Sequence, residues 1–228
     1  MRQALATRLP ATIDAPAQTP IMSKLKPRCR LYLQVAPPFT ARQSEYLSQA
    51  LSDLAPACVL IRGSADELDP VVLDELIDQI QGTGAACLIE DSIAAAANLG
   101  ADGVHIAADE NLYGEARRTL GHSANIGVGC GLGRHDAMSL AESGADYVAF
   151  SASDADAREE LFDTIAWWSE IFVVPCVAWD IADIGEAVTL TERGVDFIAP
   201  PATIWDGDDA LAVLRKMDAA IGSIRRDA

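Results

Sequence analysis

Short apolar runs and longer amphipathic segments alternate along this chain from residue 30 onward. The runs LYLQV (31–35), CVLIR (58–62), ACLIE (86–90), GVHIA (103–107), NIGVG (125–129), YVAFS (147–151), FVVPCVA (172–178) and FIAP (197–200) are apolar at nearly every position. Strands buried on both faces read this way. Between them, ARQSEYLSQALSDLA and PVVLDELIDQIQG carry apolar residues at helical spacing, and Pro70 suits a first helical turn. A last helix is expected in DDALAVLRKMDAAIGSI. One junction recurs: GADGVHIA (100–107), GADYVAFS (144–151) and GVDFIAPP (194–201). In each, a helical segment ends at Gly, the residue suited to a left-handed C-terminal position; an Asp turns the chain and a buried strand follows. Parallel strands need such crossovers.

Roughly eight strand–helix units predict an α/β fold, a single (β/α)8 TIM barrel over residues 29–228. An open doubly wound sheet is the alternative. The run GVGCGLG (127–133) does not favour it, because Arg134 stands where a dinucleotide fingerprint needs its third glycine. In a barrel the repeated junctions lie at the stabilising end, and chemistry belongs just after each strand. Residues 1–28 read as a disordered extension, poor in pattern and rich in Ala, Thr and Pro. Met22 is a second candidate start, and Arg2 and Arg8 leave a targeting segment open.

Charge narrows the partners. The formal net charge is -17, which repels nucleic acid. A phosphorylated ligand stays open, because a helix N-terminus, a metal ion or one Arg can reverse the field locally. No apolar run approaches the roughly 20 residues of a membrane helix. The five Cys form no CxxC pair, and Cys58, Cys87 and Cys176 sit in or beside apolar runs, which points to a reducing cytoplasm without a zinc site. The expected partner is a small heterocyclic or phosphorylated molecule, with homo-oligomerisation left open.

The strand ends carry the candidate residues. Arg62 closes the second strand, Glu90-Asp91-Ser92 follow the third, and Asp109 and Glu110 follow the fourth. Gly129-Cys130-Gly131 end the fifth and Trp179-Asp180 the seventh. Asp91 with Asp109 or Glu110 could hold one Mg²⁺, with Arg62 pairing to the same phosphate. Equally, Asp91-Ser92 could cap a helix and 109–110 could form a solvated loop. His105 is read as a buried, satisfied histidine or a catalytic one. Cys130, between two glycines, is expected to be accessible, though reactivity would need a lowered pKa. Trp167-Trp168 is expected to pack on the barrel.

The order LYLQV, Arg62, IEDSIAAAANLGADGVHIAADE, IGVGC and GADYVAFS resembles the thiamine phosphate synthase/TenI family, over roughly residues 30 to 205. The resemblance implies a Mg²⁺-dependent transferase that joins a hydroxymethylpyrimidine diphosphate to a thiazole phosphate. It implies that Arg62 binds the diphosphate, that Asp91 and Glu110 hold the metal, and that Glu90, Gly129, Cys130 and Trp179 line the substrate site. The chain departs from the family pattern at several of these places. Glu90 replaces an Asn, Ser64 a Lys, Ala108 a Gln, Gly129 and Ala202 a Ser each. SASDADA replaces a proline–threonine loop, and Ala178-Trp179-Asp180 replaces a Gly-Gly phosphate cradle. The alternative is a TenI-like barrel without synthase activity, binding or isomerising an unphosphorylated heterocycle.

Overall fold

The computed structural model describes residues 28–63 and 69–224. The expected extension up to residue 27, and Ser64, lie outside the described residues. Eight parallel strands close in sequence order: β1 (Arg30–Val35), β2 (Cys58–Ile61), β3 (Ala86–Glu90), β4 (Gly103–Ala107), β5 (Asn125–Gly131), β6 (Tyr147–Phe150), β7 (Cys176–Trp179) and β8 (Phe197–Ala199). The helices that follow them are α1 (Ala41–Leu54), α2 (Pro70–Gln81), α3 (Ile93–Leu99), α4 (Glu110–Leu120), α5 (Arg134–Glu142), α6 (Arg158–Ile171), α7 (Ile184–Glu192) and α8 (Ala210–Gly222). A 3₁₀ turn, Ala202–Asp206, precedes α8. Pairing of Arg30 with Phe197 and Leu31 with Ile198 closes the sheet, which decides for the barrel over the open sheet.

The recurring junction has a specific role in this closure. Gly100, Gly144 and Gly194 all take positive φ, at 68°, 101° and 100°. The Asp two residues later then reaches sideways. Asp102 accepts from the N–H of Cys87 at 2.7 Å, Asp146 from Ile126 at 2.8 Å, and Asp196 from Cys176 at 2.9 Å. Each carboxylate therefore holds the start of the preceding strand, so β3, β5 and β7 are pinned from β4, β6 and β8. A hydrogen bond to a charged acceptor contributes about 1.5–3 kcal/mol, and this end of the barrel carries three of the same kind.

Alternation along the strands makes two cores. Outward residues such as Leu31, Val59, Ile89, Val104, Val128 and Phe150 pack against the helices. Inward residues Tyr32, Leu60, Leu88, Tyr147, Val177 and Trp179 fill the lumen. Gly127 belongs to the inward set. A Cβ there would fall 1.8 Å from Cζ of Tyr147, so glycine is what lets that ring lie across β5.

The seventh apolar run is shorter as a strand than its sequence suggests. Phe172 instead caps α6 and stacks on Trp168 at 4.1 Å between centroids, and Val173 is 98% exposed. Pro175 offers no ladder N–H, so pairing begins at Cys176. The fifth strand is longer, reaching Gly131 through a register shift between Gly129 and Gly131. Trp167 and Trp168 pack as expected: Arg134 lies 4.7 Å over the Trp167 ring, and Trp168 Nε1 donates to the carbonyl of Val174.

Candidate active site

The C-terminal mouth of the barrel is organised by a glutamine. Gln34, on an inward position of β1, is 1% exposed. Its Nε2 donates to the carbonyl of Pro200 at 3.0 Å and to Oδ1 of Asp180 at 3.2 Å. Its Oε1 accepts from Nη1 of Arg62 at 3.0 Å. Arg62 in turn donates through Nε to Glu90 Oε1 at 2.9 Å, and the N–H of Gly63 donates to Glu90 Oε2 at 3.1 Å. Trp205, from the 3₁₀ turn, donates Nε1 to the carbonyl of Gln34 at 2.7 Å. The mouth is thus a chain of hydrogen bonds running Asp180, Gln34, Arg62, Glu90 across β7, β1, β2 and β3.

Two acids at this mouth sit in left-handed backbone. Asp91 has φ 51° and Asp180 has φ 58°. Such conformations cost on the order of 1 kcal/mol or more in a non-glycine residue and cluster at functional sites. The N–H of Asp91 donates to the carbonyl of His105, and its carboxylate accepts from the N–H of Ala107. Burial, reinforced by the charge of Glu90, raises the Asp91 carboxyl above its ordinary range. The mouth therefore sets one guanidinium, Arg62, against the carboxylates of Glu90, Asp91 and Asp180.

Below the mouth lies a layer of rings. His105 stacks on Trp179 at 4.6 Å and on Tyr147 at 5.7 Å, each with planes 13° apart. Its Nδ1 lies 2.9 Å from the Tyr147 hydroxyl, which lies 2.7 Å from that of Tyr32. Burial, then the charge of Arg62, pulls the His105 pKa down to about 4. His105 is therefore a neutral, satisfied core residue, as the first of the two sequence readings has it. Between pH 6.5 and 4 the unfolded chain takes up a proton here that the folded chain does not. Stability from this group is full above pH 6.5 and is lost as the pH falls towards 4, by about 3 kcal/mol in all. Urea midpoints measured from pH 7 to 4 should show this slope, and His105→Gln should flatten it.

The predicted site residues divide. Arg62, Glu90 and Asp91 come together at the ends of β2 and β3, and Trp179 closes the lumen beneath them at 8% exposure. Gly129 faces inward too; a Cβ on it would stand 3.2 Å from His105 Nε2. Cys130 is corrected. Strand alternation turns it outward into the helix-facing core, where it is buried, bonds weakly to the carbonyl of Val128, and has its thiol pushed up to about 12 by burial. Glu110 begins α4, and its carboxylate accepts from the Ser139 hydroxyl of α5, on the side of α4 away from β3. Asp109 and Glu110 are solvent-exposed, as the loop reading has it, and Asp109 also caps α4 by accepting from Leu112. Ser92, not Asp91, caps α3. Gln34, Tyr32, Tyr147 and Trp205 were not singled out from sequence. A glutamine at an inward position of an apolar strand was the available signal for the first of them.

A protein-family model described as thiamine monophosphate synthase matches residues 36–204. The chain belongs to this family. The thiamine-phosphate synthase of Rhodospirillum centenum is 36% identical over 186 residues, covering 78% of this chain and 90% of that protein. The thiamine-phosphate synthase of Erythrobacter litoralis is 42% identical over 135 residues, covering 56% of this chain and 63% of that protein's length. Among solved structures, a thiamine phosphate pyrophosphorylase from Pyrococcus furiosus superposes with a TM-score of 0.66 at 18% identity, covering 84% of this chain and 96% of that one; this shows the shared barrel.

Membership of the thiamine phosphate synthase family raises the question of Mg²⁺. Among the described residues no cluster of three or more His, Cys, Asp or Glu is assembled for a metal. Mg²⁺ needs only one or two protein carboxylates, with water and phosphate oxygens completing the shell. Asp91 fits that role: its raised pKa marks a carboxylate that a nearby cation would relieve. Glu110 fits only once released from Ser139. The loop that replaces the family's proline–threonine segment turns inward on itself, with Asp154 accepting from Ser153 and from the N–H of Ala157.

Proposed function

We propose that this chain performs the synthase reaction of its family. A C–O bond between the pyrimidine methylene and the diphosphate breaks, a C–N bond to the thiazole nitrogen forms, and pyrophosphate leaves. The observation that carries this reading is the placing of Arg62 and Asp91 at the ends of adjacent strands, at the mouth where a barrel's chemistry belongs. Arg62 would bind diphosphate oxygens, exchanging its bond to Glu90 for a stronger one to phosphate. Asp91, with Glu110 rotated from Ser139, would hold Mg²⁺. The metal, when bound, would supply neutralisation of charge on the departing pyrophosphate. The carbon left behind becomes cationic, and the acidic mouth favours positive charge there.

A second reading rests on one observation, the closed Arg62–Glu90 pair above a tryptophan-filled lumen. There the mouth would hold an unphosphorylated, amine-bearing heterocycle on its carboxylates, without synthase chemistry. Glu90→Gln separates the two. Under the synthase reading it removes a competing anion, and the KM for the pyrimidine diphosphate should fall about 5- to 10-fold, worth roughly 1 kcal/mol. Under the second reading the same change leaves no synthase rate to improve and weakens binding of the free hydroxymethylpyrimidine in a titration.

A further inference from the structure

The N-terminal end of the barrel contains a cavity of about 240 Å³, lined by Tyr32, Cys58, Ala86, Leu88, Tyr147 and Phe197 among others. It lies on the far side of the Tyr32–Tyr147–His105 layer from the mouth, beside the strand starts at Ala57, Ala86, Asn125 and Pro175. We infer that this cavity is a second binding site, separate from the mouth, for a small uncharged aromatic molecule.

Three features select that class. The first is size. A cavity of roughly 150 Å³ holds benzene, so one of 240 Å³ takes a ring with a fused or substituted portion. The space exists because Ala86, packed against the lumen cluster, contributes only a methyl group to it. The second is the state of its polar groups. The hydroxyls of Tyr32 and Tyr147 bond to each other at 2.7 Å, Tyr147 also meets His105, and the Cys58 thiol bonds to Tyr32. At the rim, Asp146 accepts from Ile126 and Arg117, and Asn125 donates to the carbonyl of Asp102. A buried water needs two to four polar partners, and these are already engaged with one another. The third is shape. The rings of Tyr32, Tyr147 and Phe197 offer flat walls against which another ring gains stacking and apolar contact. Among the described residues lining the cavity the one carboxylate, Asp146, is already paired with Arg117, which disfavours a charged ligand.

Indole and toluene are suitable probes, added separately to the full chain. Each should give a saturable rise in Tm of about 3–6 °C near ten times its Kd. Ala86→Leu projects a larger side chain into the cavity and should abolish the shift while the protein remains folded. Ala86→Val serves the same purpose if that variant does not fold. Arg62→Ala, at the opposite mouth, should leave the shift unchanged. No saturable shift with either probe overturns the site. A shift that survives in the filled variants, or that disappears in Arg62→Ala, equally overturns it by placing the binding elsewhere.

Discussion

Replacing Gly127 by Ala is expected to destabilise the barrel by about 3–5 kcal/mol, a large effect for one methyl group. The added carbon would coincide with the Tyr147 ring, 1.8 Å from Cζ and 2.3 Å from the hydroxyl oxygen. The ring would have to leave the lumen. Its hydrogen bonds to Tyr32 and His105 would go with it, stranding buried polar groups. Urea unfolding measures the loss. Gly84→Ala is the informative contrast: its φ is +84° but nothing lies within 4 Å of the added carbon. Its cost should be near 1 kcal/mol, that of backbone strain alone. Adding Tyr147→Leu to Gly127→Ala should recover part of the loss, because the clash and the strain on the ring layer go together. Equal costs at the two glycines would show that packing against Tyr147 is not the reason for Gly127.

Asp91→Ala is expected to lower kcat/KM for thiamine phosphate formation by about 100- to 1000-fold, and to remove the dependence of the residual rate on Mg²⁺. The fold should survive. The carboxylate's one structural bond is to the N–H of Ala107, and the neighbouring Ser92 caps α3 without it. Tm should therefore move by only a few degrees. Initial rates over a Mg²⁺ titration check this. Because burial and Glu90 raise the Asp91 pKa in the metal-free protein, Mg²⁺ binding should weaken at acidic pH, as the carboxylate protonates above the range of an ordinary Asp. Full activity in Asp91→Ala would remove this residue from the site.

The barrel was legible because closure leaves periodic marks. Parallel strands buried on both faces make unbroken apolar runs, and the Gly-x-Asp junctions announce three of the returns to the strand starts. The sequence could not tell that those three aspartates bond sideways to the preceding strand, since that depends on register. Strand ends were less clear where apolar residues serve a helix end, as Phe172 does. Of the candidate site, the placing of Arg62, Glu90 and Asp91 at the mouth was legible from their position after strands, whereas Cys130 packs in the helix-facing core. The Gln34 bridge was hidden: it joins β1 to β2 and β7, across 146 residues in one direction. The ring layer was hidden likewise, because Tyr32, His105, Tyr147 and Trp179 meet only when the sheet closes.

The most direct measurement is a synthase assay of the purified full chain, with hydroxymethylpyrimidine diphosphate and thiazole phosphate, with and without Mg²⁺. Formation of thiamine phosphate that requires Mg²⁺ is the predicted result, and would mean that Arg62 can exchange Glu90 for a diphosphate at this acidic mouth. Absence of product at high protein concentration and saturating substrates would contradict the account, and would leave the barrel with its family's frame and a different ligand at its mouth.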